Sequence, residues 1–226
     1  MRDLSNERIE ANLRLFREGS VGGTAPLATD RYASFDYCYN HFQSRRERGA
    51  LATLLEEDSL ELSCLHLGFY LASWGMLRGS TELLQKSVRH YVPLIRLIAE
   101  TPPEVWAIDI DRYDDENLER LLDLDRRIKE AVRGTRPVSD TLSTKIMLGV
   151  FGNVPAFDTW FNAGFGVWTF NRRSLEQIGA FYEAHSEVFQ RDIPTLDFCS
   201  GRPTTRLYPK AKLMDMIFFV EGSTRH

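Results

Sequence analysis

Cysteine and histidine are scarce in this chain, and positive charge is not in excess. The three cysteines, Cys38, Cys64 and Cys199, are odd in number and none belongs to a C-x-x-C pair. That pattern excludes a disulfide framework or a zinc finger and leaves small apolar fillers. The five histidines (His41, His66, His90, His185, His226) are scattered without metal-ligand spacing. No run of 18 apolar residues exists, so no membrane span is expected. The G-x-x-x-x-G-K-[ST], G-x-G-x-x-G, G-x-S-x-G and H-E-x-x-H patterns are all missing. Phosphoryl transfer, dinucleotide chemistry and zinc hydrolysis are thereby disfavoured, and no cofactor or metal is expected. The formal net charge of −4 supplies no global field for nucleic acid. Local basic runs exist at Arg45, Arg46 and Arg48, at Lys86 and Arg89, and at Arg202, Arg206, Lys210 and Lys212. Taken run by run, each reads first as a solvated face. The opening MRDLSNERIEANLRLF is charged and amphipathic, unlike a secretory signal, which gives a cytoplasmic expectation with reduced cysteines.

What the chain does have is helical periodicity. Its 226 residues are 43% hydrophobic and 27% charged, the proportions of a globular domain. Helices are expected over 5–17, 30–48, 59–76, 80–100 with a kink at Pro93, 114–133, 140–150, 172–190 and 209–220, with a short one near Phe157. Ser5 and Ser139 read as N-caps. In 114–133 the pairs Glu116/Arg120, Asp123/Arg127 and Asp125/Lys129 carry the acid first at i,i+4. The stretch 19–30 is rich in Gly, Pro and Thr and reads as a loop over a site, and 105–110 as a short strand or connector. Strands do not alternate with helices. The expectation is an all-α protein spanning 1–226: one multi-helix domain, or two intimately packed helical lobes with a cleft between them.

The segment SDTLSTKIMLGVFGNVPAFDTWF (139–161) concentrates the chemistry. A polar start leads into an apolar helix carrying Lys145. A glycine turn and Pro155 follow, and then Asp158 among Phe157, Trp160 and Phe161. Pro155 fixes the exit from the turn. Asp158 falls at a helix start, where a carboxylate is either an N-cap or a poised site group. Lys145 is either a site group or a surface or salt-bridging lysine.

The run Pro155-Ala156-Phe157-Asp158-Thr159, with the helix of Thr144 to Leu148 upstream, resembles the helix-hairpin-helix DNA glycosylases, in particular the divergent 8-oxoguanine-glycosylase-like branch. The resemblance covers about 25 residues within a core segment of about 135–190. It implies DNA as partner and places the family's aspartate on Asp158, which would stabilise the sugar cation formed as a base leaves. Two departures stand beside it. Residues 134–141 hold only Gly134 where the family hairpin is glycine-rich, and the family's Schiff-base lysine position matches Thr141, one turn before Lys145. Hydrolytic base removal without a lysine adduct is the reading that follows.

Two further clusters are candidates for substrate. In 73–86, Arg78, Ser80, Gln85 and Lys86 surround a glycine and an expected helix start, a setting that binds anions; the alternative is a linker, a cap and a surface pair. In 34–46, Tyr37 and Asn40 combine an aromatic face with a polar edge, as base stacking requires. Trp160 joins them through its place beside Asp158. Core packing is the alternative for these aromatics. The functional expectation is a monofunctional DNA glycosylase that flips a damaged or modified base, in repair or in defence against modified phage DNA. One alternative is a non-catalytic helical module that binds nucleic acid or protein. Another is a small metal-dependent nuclease or toxin using Asp158 with Asp109 or Asp111.

Overall fold

The structure is a computed structural model and describes residues 4–18, 27–79 and 81–224. Among these residues ten α-helices follow in chain order: α1 (Asn6–Glu18), α2 (Ala33–Glu47), α3 (Glu57–Ser73), α4 (Val92–Glu100), α5 (Pro103–Trp106), α6 (Asp115–Ala131), α7 (Asp140–Val150), α8 (Thr159–Phe165), α9 (Arg172–Ala184) and α10 (Lys210–Ser223). One antiparallel hairpin, β1 (Pro194–Leu196) and β2 (Pro203–Leu207), accompanies them. The class is all-α. No helix among the described residues is long and apolar enough to cross a membrane.

Local chemistry explains the helix boundaries. Asp114, Ser139, Asp158 and Asn171 each accept an amide hydrogen bond from the first turn that follows. Such a cap stabilises a helix by about 1 kcal/mol. Ser5 Oγ accepts the Arg8 amide at 3.4 Å. Gly166 closes α8 with φ of +92°, a left-handed turn that a side chain would strain.

Two packing features place the site. Every residue of α7 from Leu142 to Val150 is buried, so this helix is covered on all sides. Helices α8 and α10 meet backbone to backbone: a Cβ on Gly164 would lie 2.1 Å from the Phe218 carbonyl oxygen, and one on Gly222 would lie 2.0 Å from that of Trp160. The buried apolar side chains form one continuous cluster from Leu4 to Val220. The stripe of α2 behaves as core, with Phe35 and Phe42 fully buried and Tyr39 nearly so.

Several boundaries differ from the sequence expectation. Residues 80–100 are not one kinked helix. Two 3-10 turns, Glu82–Gln85 and Val88–Tyr91, precede α4, and Pro93 sits in the first turn of α4, where its missing N–H costs nothing. Residues 105–110 are not a strand: α5 ends at Trp106, residues 107–109 form a short connector, and a 3-10 turn begins at Ile110. The helix from 172 stops at Ala184 and gives way to a 3-10 turn, Ser186–Phe189. In α6, Glu116–Arg120 and Asp125–Lys129 pair as expected, at 2.6 and 2.8 Å, but Asp123 takes Arg126 rather than Arg127. Of the 19–30 loop, residues 19–26 lie outside the described residues.

Candidate active site

The turn between α7 and α8 is clamped from both sides. Thr144 Oγ1 accepts the Phe157 amide at 2.8 Å, and Thr141 Oγ1 donates to the Phe157 carbonyl at 2.9 Å. From α10, Asp215 Oδ1 accepts the Ala156 amide at 3.1 Å. Gly152, with φ of +69°, makes the reversal beneath Tyr39 and Pro209, which leave no space for a Cβ. Three side chains therefore fix where the chain stands when it reaches Asp158.

Asp158 does two things at once. Its Oδ1 accepts the Trp160 and Phe161 amides at 3.1 and 3.0 Å, capping α8. Its Oδ2 accepts from Lys145 Nζ at 2.9 Å. The two side chains are 15% and 4% exposed, so the pair is shielded from solvent and only weakly screened. Lys145 is therefore no surface lysine. It stands in mid-α7, the one cation in a wholly buried run, which is where a lysine must find a counter-ion. The cap reading of Asp158 is met, and the same carboxylate is the counter-ion of the buried Lys145.

Trp74, at the end of α3, is the hub of the surroundings. Lys145 Nζ lies 5.2 Å from its ring centroid and Lys212 Nζ, from α10, 5.1 Å. The Arg31 guanidinium lies 5.5 Å from the same ring. Tyr32 and Phe219 meet the indole edge-on. Lys212 is 3% exposed, sits between Phe16, Phe35 and Trp74, and donates to Asp215 Oδ2 at 2.9 Å. The indole Nε1 is buried and has no hydrogen-bond partner. Nearby Asp36 accepts the Leu196 amide at 2.8 Å. Burial pushes its carboxyl up to about 6, against the pull of the Tyr208 hydroxyl, the Leu196 amide and Lys212.

The sequence read Lys212 as part of a basic face. That is corrected: Lys212 is buried, Lys210 pairs with Asp111 at 2.5 Å and Arg206 with Glu47 at 2.6 Å, which spends most of the run internally. Lys145 could have been found by one signal: it is a lone cation inside an otherwise apolar stretch of helix, with an acid further along the chain; Lys212, two residues after Lys210, carries no such mark.

The remaining candidates fare differently. Asn40 is not a free edge reader. Its side chain donates to the Leu196 carbonyl and accepts from Thr195 and Arg206, docking the β-hairpin on α2. Tyr37 donates to the Ala28 carbonyl and meets Phe198 edge-on in a groove of about 610 Å³. Arg31 and Ser73 also line that groove, which brings it up to the Trp74 cluster, although Asp158 is not in its walls. Trp160 is half-buried on α8, directly after the Asp158 cap. Arg78 is exposed and folds over Gly75, 3.6 Å from where a Cβ would be. Ser80 lies outside the described residues. Residues 82–85 make a single 3-10 turn, so the helix start expected to hold an anion there is absent. Gln85 is exposed, and Lys86 pairs with Glu82 at 3.4 Å.

Glu82 in turn reaches the α6–α7 connection, where its carboxylate accepts the Thr135 and Arg136 amides at 2.7 and 3.1 Å. Those hydrogen bonds hold it down to about 2. A side chain at Gly134 would collide with it. The connection thus does grip an oxyanion through its backbone, and Glu82 supplies it. Asp109 is spent as well, accepting the Lys210 and Ala211 amides at 2.7 and 2.9 Å to cap α10. No group of three potential metal ligands occurs among the described residues.

No protein-family model, no curated protein and no solved structure matches this chain.

Proposed function

We propose that the protein is a DNA glycosylase-like enzyme that removes a base by hydrolysis, with Asp158 and Lys145 as its catalytic pair. The supporting observation is the 2.9 Å contact between Lys145 Nζ and Asp158 Oδ2, almost closed to solvent, beside the Trp74 ring. The chemistry asks for this combination. When the C1′–N bond of a nucleotide breaks, its electron pair leaves with the base and positive charge builds on the sugar. A carboxylate held rigidly in low-dielectric surroundings stabilises that charge without having to reorganise. The two amides on Oδ1 supply the rigidity. Lys145 holds Oδ2 in place and gives a proton to the departing base as the C1′–N electron pair leaves with it, while water adds to the sugar and its proton returns to the amine.

The test uses duplex oligonucleotides, each with a single uracil, hypoxanthine, 8-oxoguanine or 3-methyladenine. Free base and alkali-labile sites are scored with EDTA present. Release from at least one duplex, lost in Asp158→Asn with the helical spectrum unchanged, is the expected result. Borohydride should trap no covalent protein–DNA adduct. Binding without release in the unaltered protein would turn the reading into a non-catalytic module. Cleavage that requires a divalent cation would replace it with a nuclease.

A further inference from the structure

We propose that the outward face of α3, with the groove beside it, is an interface on which a second copy of this chain docks, helix against helix and antiparallel. The proposal does not depend on the DNA-glycosylase reading.

Helix α3 is apolar on two faces. Cys64, Leu67 and Leu71 are buried on its inner face. Leu62, Leu65 and Phe69 lie on its outer face and are 44%, 45% and 69% exposed. A helix that is apolar all round belongs in an interior, and this one has an interior on one side only. The outward residues are also ordered. With Asp58 before them and Ala72 after them, they follow at steps of four, three, four and three, the spacing with which one helix seats against another. All five positions are exposed. Leu62, Leu65 and Phe69 line the 610 Å³ groove together with Tyr37 and with Phe198, which is as exposed as Phe69. Contiguous apolar surface of this kind marks an interaction site.

The charges around the stripe say what covers it. Glu57, Asp58 and Glu61, at the N-terminal end of α3, are exposed and make no ion pair among the described residues. Arg45 and Arg46, at the end of α2, turn to His41 and Gln43 instead. At the other end of the groove, beside Ser73, Arg31 is exposed and pairs with no carboxylate among the described residues. A second α3 laid antiparallel along the first sets the acidic end of each copy against the Arg31 end of the other, twice over by the two-fold symmetry. A parallel pair would instead gather the acids of both copies at one end. The face is therefore complementary to itself in one orientation, with Leu65 near the symmetry axis.

The experiment uses the full chain. Sedimentation equilibrium at micromolar concentration should show a dimer of the 26.0 kDa subunit. Leu65→Glu and Phe69→Glu change exposed side chains, so each should leave the helical spectrum unchanged and raise the dissociation constant about thirtyfold or more. Asp58→Lys/Glu61→Lys puts cations at both ends of the stripe and should weaken the dimer several-fold. Orientation is read with a short bismaleimide in a Cys199→Ser background, where the remaining Cys38 and Cys64 are buried. Asp58→Cys chains mixed with Ala72→Cys chains should be linked to each other, and neither to its own kind. A monomer at every concentration would overturn the proposal and leave the face to a partner of another sequence. A dimer indifferent to Leu65→Glu and Phe69→Glu would overturn it by placing the contact elsewhere. Linking of each cysteine variant to its own kind, or a dimer unaffected by the double charge reversal, would overturn the antiparallel arrangement.

Discussion

Lys145 and Lys212 are the residues whose placement says most. Each is an ammonium with almost no contact with water, and each keeps one carboxylate. Breaking such a pair from one side leaves an uncompensated buried charge, which costs about 3–5 kcal/mol. Lys145→Met should therefore lower the urea midpoint sharply. The double variant Lys145→Met/Asp158→Asn should recover part of the loss, because both charges then leave together. Equal stability of the single and double variants would show that the pair is not coupled. Asp36 gives a pH signature of unusual sign. Its carboxyl is pushed up to about 6 in the fold from an ordinary value of 3.8, so the folded chain holds that proton more tightly than the unfolded one. The resulting stabilisation is complete below about pH 4 and is lost as pH rises towards 6. Against Asp36→Asn, the native protein should lose relative stability over that window and change little above it, as denaturant titrations at a series of pH values would show. His41 works the other way. Burial, His66 and Arg45 hold its ring down to about 3, so the fold loses stability as pH falls below 6.5. The comparison with Asp36→Asn cancels this second effect.

At the scale of elements, the helices followed the periodicity wherever a run was long and its caps conventional. Residues 114–133 and 140–150 show this, with Asp114 and Ser139 in the cap positions. Expectation failed where the chain is short-ranged or governed by distant partners. Residues 82–91 lack an apolar stripe of helical length and coil into 3-10 turns, with Glu82 tied to the 135–136 amides instead. The β-hairpin is three and five residues long, starts at prolines on both strands and is held by Asp36 and Asn40 of α2, none of which leaves a mark in local periodicity. Asp158 and Lys145 were visible as candidates, but the turn that brings them together depends on Thr141, Thr144 and Asp215, and their hydroxyls and carboxylate look unremarkable in sequence. The α8–α10 crossing makes an element-scale prediction. Gly164→Ala or Gly222→Ala inserts a methyl group where backbone stands 2.1 or 2.0 Å away, so the helices must separate. Either should destabilise by about 1–3 kcal/mol or more in chemical denaturation, as overpacking does. Because α8 begins at Asp158, base release should fall with it. An unperturbed alanine variant would show that the close approach is not needed.

The whole molecule carries a formal charge of −4, and Arg206 and Lys210 of its C-terminal basic run are committed to ion pairs with Glu47 and Asp111. Affinity for DNA should therefore depend only modestly on salt, with a slope corresponding to about two to four phosphates rather than the six to ten of strongly basic binders. A steep slope in anisotropy titrations would point to a basic face that these pairings do not provide. The fold supplies instead a dry, cation-rich centre built from α3, α7, α10 and the start of α8, which meet at Trp74 and Asp158. The measurement that tests this account most directly is base release from singly modified duplexes by three proteins: unaltered, Asp158→Asn and Lys145→Met. The account predicts free base and an alkali-labile strand from the first, and neither from the other two under conditions where all three remain folded. Release persisting in Asp158→Asn at an undiminished rate would contradict it.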